Sequence, residues 1–167
     1  MVIRDIEIIN SQVKINSNRP LTFYFASRYS RREELCEYRS ELESRGMRVP
    51  ARWLNGNHNV EELDHEKAAL FASEDVEDVL ESDVLVAFTE EPRATLTRGG
   101  RHVEMGIAMG LRLSQEGHRD LGVPVVVVIG PLENVFMRHD IVEDHFETFE
   151  EFLRAFDSGE WSGSWLL

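Results

Sequence analysis

Val123-Pro-Val-Val-Val-Val-Ile129 is an almost continuous apolar run, the pattern of a strand buried on both faces at the centre of a parallel sheet. Working outward, Asp83-Val-Leu-Val-Ala-Phe88 and Leu21-Thr-Phe-Tyr-Phe-Ala26 are runs of the same kind. Met47 to Trp53 reads as a further strand, and Pro50 within it points to an edge position. Ile141 to Phe146 is a short fifth candidate. The segments between them carry helical periodicity. A helix is predicted over about 30–44, with Leu35, Tyr38 and Leu42 on one face and Gly46 ending it, and others over about 60–80, 101–115 and 148–156. Strands alternating with helices imply right-handed βαβ units and a doubly wound α/β sheet of about five strands.

A chain of 167 residues suits one domain able to bury roughly 70% of its unfolded surface. The net charge of −13 argues against binding a nucleic-acid polymer, which needs clustered cations to displace counterions. Sixteen of the eighteen cations are arginines, the others being Lys14 and Lys67, so fork-shaped recognition of phosphate or carboxylate is available locally. Cys36 is the single cysteine, which excludes an intrachain disulfide and a cysteine-based metal site. No apolar run reaches membrane-spanning length and the N-terminus mixes charges from Arg4 onward, so a cytoplasmic protein without membrane partners is expected. Residues 2–16 alternate weakly around Asn10-Ser11 and suggest a short hairpin added to the main domain.

In a doubly wound sheet, ligands sit at the carboxyl ends of the strands, here residues 24–32, 89–104 and 130–139. Within that set Glu104 stands out: it is the only acidic residue between Glu91 and Glu116, near the start of an apolar helix. A helix start offers unpaired N–H groups and the positive end of the dipole, which would hold a carboxylate ionised and ready as a nucleophile. Alternatively Glu104 caps its own helix, although Arg101 stands where a capping box needs Ser or Thr. Gly99-Gly100 permits positive φ and close approach of a ligand, or only a strand-to-helix turn.

Ala26-Ser-Arg-Tyr-Ser-Arg-Arg-Glu33 gathers hydroxyls and guanidinium groups where a strand ends, a plausible cradle for phosphate or sugar through Ser27 and Arg28. An ordinary cap, with Ser30 and Glu33 as a capping box, accounts for the same residues. Asp75 lies among Glu74, Glu77 and Asp78, and such runs are usually solvated helix faces. Asp83 at a strand start reads as a turn or cap residue. The six histidines show no metal-ligand spacing. No metal and no cofactor is expected.

Taken together, Tyr24-Phe-Ala-Ser27, Asp75 eight residues before Asp83, Gly99-Gly-Arg-His-Val-Glu-Met-Gly106 and Val128-Ile-Gly-Pro-Leu-Glu-Asn-Val-Phe136 resemble the nucleoside 2-deoxyribosyltransferase family. That group includes deoxynucleoside 5'-monophosphate N-glycosidases and CMP hydrolases. The resemblance spans about 21–156, which leaves 1–20 as an N-terminal extension and 157–167 as a C-terminal tail. It implies a flavodoxin-like sheet and cleavage of an N-glycosidic bond through a covalent glycosyl-Glu intermediate, with transfer to another base or to water. By position, Glu104 would be the nucleophile, Asp75 the acid/base and Tyr24 the residue orienting Glu104. Asp83, Gly99 and Gly100 fall among the substrate-binding positions. Asn134 matches an asparagine often supplied by a neighbouring subunit, so a homodimer or higher homo-oligomer is implied.

Two departures bear on the substrate. Transferases acting on free nucleosides typically carry Asp six residues before the nucleophile, where this chain has Arg98 preceded by Thr97. The loop after the first core strand is also more cationic than a free nucleoside requires. Both fit a nucleoside 5'-monophosphate. The rival expectation is a non-catalytic nucleotide-binding module on the same fold. Against it stands the joint presence of Tyr24, Asp75 and Glu104, since binding alone does not need all three.

Overall fold

The computed structural model describes residues 6–9, 12–15, 19–56, 64–91, 99–114 and 123–161, the first two stretches as backbone only. The N-terminal pair is the expected hairpin: β1 (Ile6–Ile9) runs antiparallel to β2 (Gln12–Ile15). The main sheet has four parallel strands in the order β3 (Phe23–Ala26), β4 (Val84–Phe88), β5 (Val125–Ile129) and β6 (Val142–Phe146). Every residue of β3, β4 and β5 is buried, as their unbroken apolar runs require of strands covered on both faces.

The expected strand over Met47–Trp53 does not form. It contributes one parallel bridge, Thr22 to Arg48, in which Phe23 N donates to Arg48 O at 2.7 Å and Arg48 N to Leu21 O at 2.9 Å. Beyond Pro50, which has no N–H to extend the ladder, the chain turns into a 3-10 helix over Arg52–Asn55. Trp53 is thereby buried and its Nε1–H donates to Phe25 O at 2.8 Å. Counting this segment as the vestigial outer strand, the order is flavodoxin-like.

Helix α1 (Arg32–Ser44) and helix α4 (Phe149–Ser158) cover one face of the sheet. There Tyr38 stacks on Phe149 with ring centroids 4.1 Å apart, and Phe152 meets Phe23 edge-on. Trp161, in the segment set apart above as a tail, is buried against Phe23, Phe152 and Phe156. The capping box expected at Ser30 and Glu33 is absent. Tyr29–Arg31 forms a 3-10 turn, and the residue that caps α1 is Arg31, whose side chain makes no capping bond.

Helix α2 (His65–Glu81) and helix α3 (Gly100–Ser114) cover the other face. Helix α3 packs across β3, β4 and β5, and α2 packs on α3. Among the described residues no helix is long and apolar enough to cross a membrane.

Candidate active site

Alternation along β3 sends Phe23 and Phe25 toward α1 and α4, and Tyr24 toward α2 and α3. Tyr24 is fully buried, and its hydroxyl donates to Glu104 Oε1 at 3.0 Å. Asp75 lies close enough to the same hydroxyl for the two to influence each other's proton affinity. The structure thus brings together the three residues to which the sequence resemblance assigns catalysis, one each from β3, α2 and α3. They lie far apart along the chain and meet only because α2 and α3 share one face of the sheet. Glu104 Oε2 is buried and takes no hydrogen bond from any described residue, an arrangement that calls for an explanation in a folded protein.

Electrostatics differ from the sequence expectation. Glu104 lies five residues into α3, beyond its first turn, so the helix start does not hold it ionised. Burial, reinforced by the nearby Asp75 charge, pushes its carboxyl up to about 8, against the opposing pull of the Tyr24 bond and Arg101. Asp75 is pushed up to about 7, by burial first and then by Asp78 and Glu74. Two carboxyls with raised affinities in one low-dielectric space titrate as a pair and share a proton near neutrality. Tyr24 is held well above the ordinary phenol range by burial and by the Glu104 and Asp75 charges, so it serves as a donor and not as a proton source.

The charged loops at the carboxyl edge of the sheet are internally paired. Arg101 is buried and donates to Phe88 O at 2.7 Å, to Glu90 Oε2 at 2.9 Å and to both oxygens of Glu133. Glu90 N donates to Glu133 Oε1 at 2.8 Å. This network ties the end of β4, the start of α3 and the loop after β5 into one unit. Gly130, at φ +105, sits so close to Thr89 that a Cβ there would come within 2.7 Å of its hydroxyl.

The other candidates fall in different places. Arg28 lies in this loop cluster, with Nε 3.3 Å from Glu90 Oε1 and its side chain 28% exposed. Ser27 Oγ, beside it, is buried with no hydrogen-bond partner among the described residues. Gly99 takes positive φ (+81) and Gly100 opens α3. Thr97 and Arg98 lie outside the described residues. Asn134 follows β5 and uses Oδ1 to accept from Phe136 N (2.9 Å) and Met137 N (3.3 Å), capping the turn Val135–Arg138. Asp83 is placed apart from the rest. It sits at the amino edge of the sheet, where its carboxylate accepts from Thr22 N at 2.9 Å and pairs with Arg19. It ties the strand starts together and lies away from the Tyr24–Glu104 centre, so it is not assigned to the site.

Sequence reasoning missed Arg101, Glu90, Glu133, Arg52 and Asp78. Nothing in their spacing marks them; Arg101, Glu90 and Glu133 are paired only by the meeting of loops at the strand ends, and Arg52 and Asp78 only by the packing of the 3-10 segment on α2.

No family model matches the sequence, and no curated protein matches it. Solved structures do share the fold. One is a 2-deoxyribosyltransferase from the psychrotolerant bacterium Bacillus psychrosaccharolyticus, similar over 78% of this chain and 89% of that one, at 18% identity and a TM-score of 0.56. Another is the Clostridium botulinum CMP N-glycosidase BcmB, similar over 82% of this chain and 98% of that one, at 16% identity and a TM-score of 0.52. The flavodoxin-like α/β architecture is therefore common to this chain and to both enzymes.

Proposed function

We propose that the protein is an enzyme that cleaves the N-glycosidic bond of a nucleoside or nucleoside 5'-monophosphate through a covalent glycosyl-Glu104 intermediate. The observation that carries it is the meeting of three side chains: the buried Tyr24 fixes one oxygen of the half-buried Glu104, the other oxygen is buried with no donor among the described residues, and the half-buried Asp75 stands beside them. Glu104 Oε2 attacks the anomeric carbon as the bond to the base breaks. The electron pair passes to the departing nitrogenous base, which takes a proton from Asp75. Water or a second base then attacks the same carbon, Glu104 leaves as carboxylate, and the acceptor's proton returns to Asp75. Raised proton affinity suits this division: the pair holds one proton at neutral pH, and positive charge developing on the sugar draws ionisation to Glu104.

Fold similarity to a 2-deoxyribosyltransferase and a CMP N-glycosidase, together with the residue pattern, supports this class over a binding module. Ser27, whose buried hydroxyl has no partner among the described residues, and Arg28 are the residues proposed to meet a 5'-phosphate, together with Gly99 and Gly100 at the start of α3. Arg98, outside the described residues, is proposed as a further phosphate contact. Asn134 is proposed to act across a subunit boundary in a homo-oligomer. The adjoining Val135 and Phe136 are 75% and 66% exposed, which supports a contact there.

The test is to incubate the protein with a panel of nucleosides and monophosphates, with and without a free acceptor base, and to separate the products chromatographically. Base released without acceptor identifies hydrolysis, and a new nucleoside formed only with acceptor identifies transfer. No product from any member would refute the enzymatic reading. Arg28→Ala should slow monophosphates more than nucleosides; equal losses would remove Arg28 from the phosphate contact.

A further inference from the structure

Asp75 does not stand on a free helix. One turn away, Asp78 is buried, and its two oxygens accept from Arg52 N and Arg52 Nε, each at 2.8 Å. The same guanidinium donates through Nη2 to Glu74 O at 2.8 Å and Glu77 Oε2 at 2.9 Å, and its Nη1 lies 3.7 Å from Glu74 Oε1. A single arginine thus grips the turn of α2 before and after Asp75 by a backbone carbonyl and three carboxylates. It does so from the 3-10 segment that replaces the expected second strand. Fork-shaped, two-point contact fixes orientation as well as position.

We propose that the Arg52–Asp78 pair is the positioning device of this site: it fixes the α2 turn that carries Asp75 and sets an ionised carboxylate beside it, so that Asp75 keeps the proton that the leaving base requires. This rests on the assignment of Asp75 as the acid. Burial pushes the Asp78 carboxyl up, and Arg52 opposes that through its backbone N–H, its charge and its side-chain bond. The charge retained on Asp78 then acts on Asp75 across one helical turn. The groups facing Asp75 are Asp78 and Glu74 on α2, Arg52 on the 3-10 segment, Tyr24 on β3 and Glu104 on α3. Asp78 and Glu74 favour its protonated form, and Arg52 and Tyr24 oppose it. After burial itself, Asp78 contributes most.

The test needs no turnover. In a Glu104→Gln background, which leaves Asp75 to titrate without its coupled partner, the carboxyl carbon of Asp75 is followed by NMR against pH, with Asp75→Asn giving the assignment. Asp78→Asn keeps an acceptor for Arg52 but removes the charge, and should lower the Asp75 midpoint by about one pH unit. Asp78→Glu, which restores the charge, should bring it back. If Asp78→Asn fails to fold, the doubly neutral Arg52→Gln/Asp78→Asn variant leaves no buried ion unpaired. It should lower the midpoint by less, because the opposing Arg52 charge goes too. A midpoint unchanged or raised in the folded variant would overturn the proposal, leaving the pair as a purely structural tie. A protein that cleaves no nucleoside yet shows the shift would refute the enzymatic reading and leave the Asp78 effect standing.

Discussion

Replacing Glu104 by Gln should make the protein more stable above neutral pH, and the gain should grow with pH. Glu104 moves from an ordinary 4.5 to about 8 on folding, so the folded chain holds this proton where the unfolded chain has lost it. Between those limits each such carboxyl lowers stability by up to about 1.4 kcal/mol per pH unit. The penalty is fully developed only above the folded value, where its ceiling is roughly 5 kcal/mol. Coupling to Asp75 reduces it, because part of the shift belongs to the pair. Gln retains an acceptor for Tyr24 and cannot ionise. Urea denaturation of both proteins at about pH 5.5, 6.5 and 7.5 should therefore show the difference widening in favour of Gln, by roughly 1 kcal/mol or more per unit. A difference that stays constant, or that turns against Gln as pH rises, would refute the raised proton affinity of Glu104.

Other substitutions probe the same architecture. Tyr24→Phe removes the bond that lowers the Glu104 affinity, so the acidic limb of the kcat/KM profile should move to higher pH while kcat falls about 10- to 100-fold; an unmoved limb would dissociate Tyr24 from Glu104. Arg101→Met strands Glu133 without its buried partner, while Glu90 keeps Arg28 and Arg31, and should cost about 3–5 kcal/mol in a denaturation measurement; a loss below about 1 kcal/mol would show that the network does not hold the loops. The proposed homo-oligomer is tested by sedimentation velocity: the wild type should sediment as a dimer or larger, whereas a monomeric wild type would refute the proposed assembly. Phe136→Asp should convert it to monomer and reduce activity with it. An unchanged sedimentation coefficient would place the subunit contact elsewhere.

How much was legible in the sequence depended on whether the signal was local. Val125–Ile129 and Val84–Phe88 are strands because nothing but a doubly covered sheet absorbs such apolar runs, and their bounds came within two residues. Thr148, whose side chain accepts from Glu151 N, marks the start of α4 by local chemistry. Met47–Trp53 was misleading for a non-local reason: burying Trp53 against Phe25 outweighs extension of the sheet beyond Arg48. Asp75 and Asp78 look like members of a solvated acidic face, and their burial depends on Arg52 and α3, which no spacing reveals. Arg28 looks like a free cation until Glu90 is seen beside it. The helix-start picture of Glu104 failed because burial outweighs a dipole whose effect falls off within the first turn.

The central claim is double displacement at a sugar carbon by Glu104, and stereochemistry tests it most directly. The protein is supplied with a β-nucleoside in water containing methanol, and the methyl glycoside formed is assigned by NMR. Two successive inversions predict the β-anomer, formed by the wild type and lost in Glu104→Gln. An α-anomer, or base release that survives Glu104→Gln, would contradict the account.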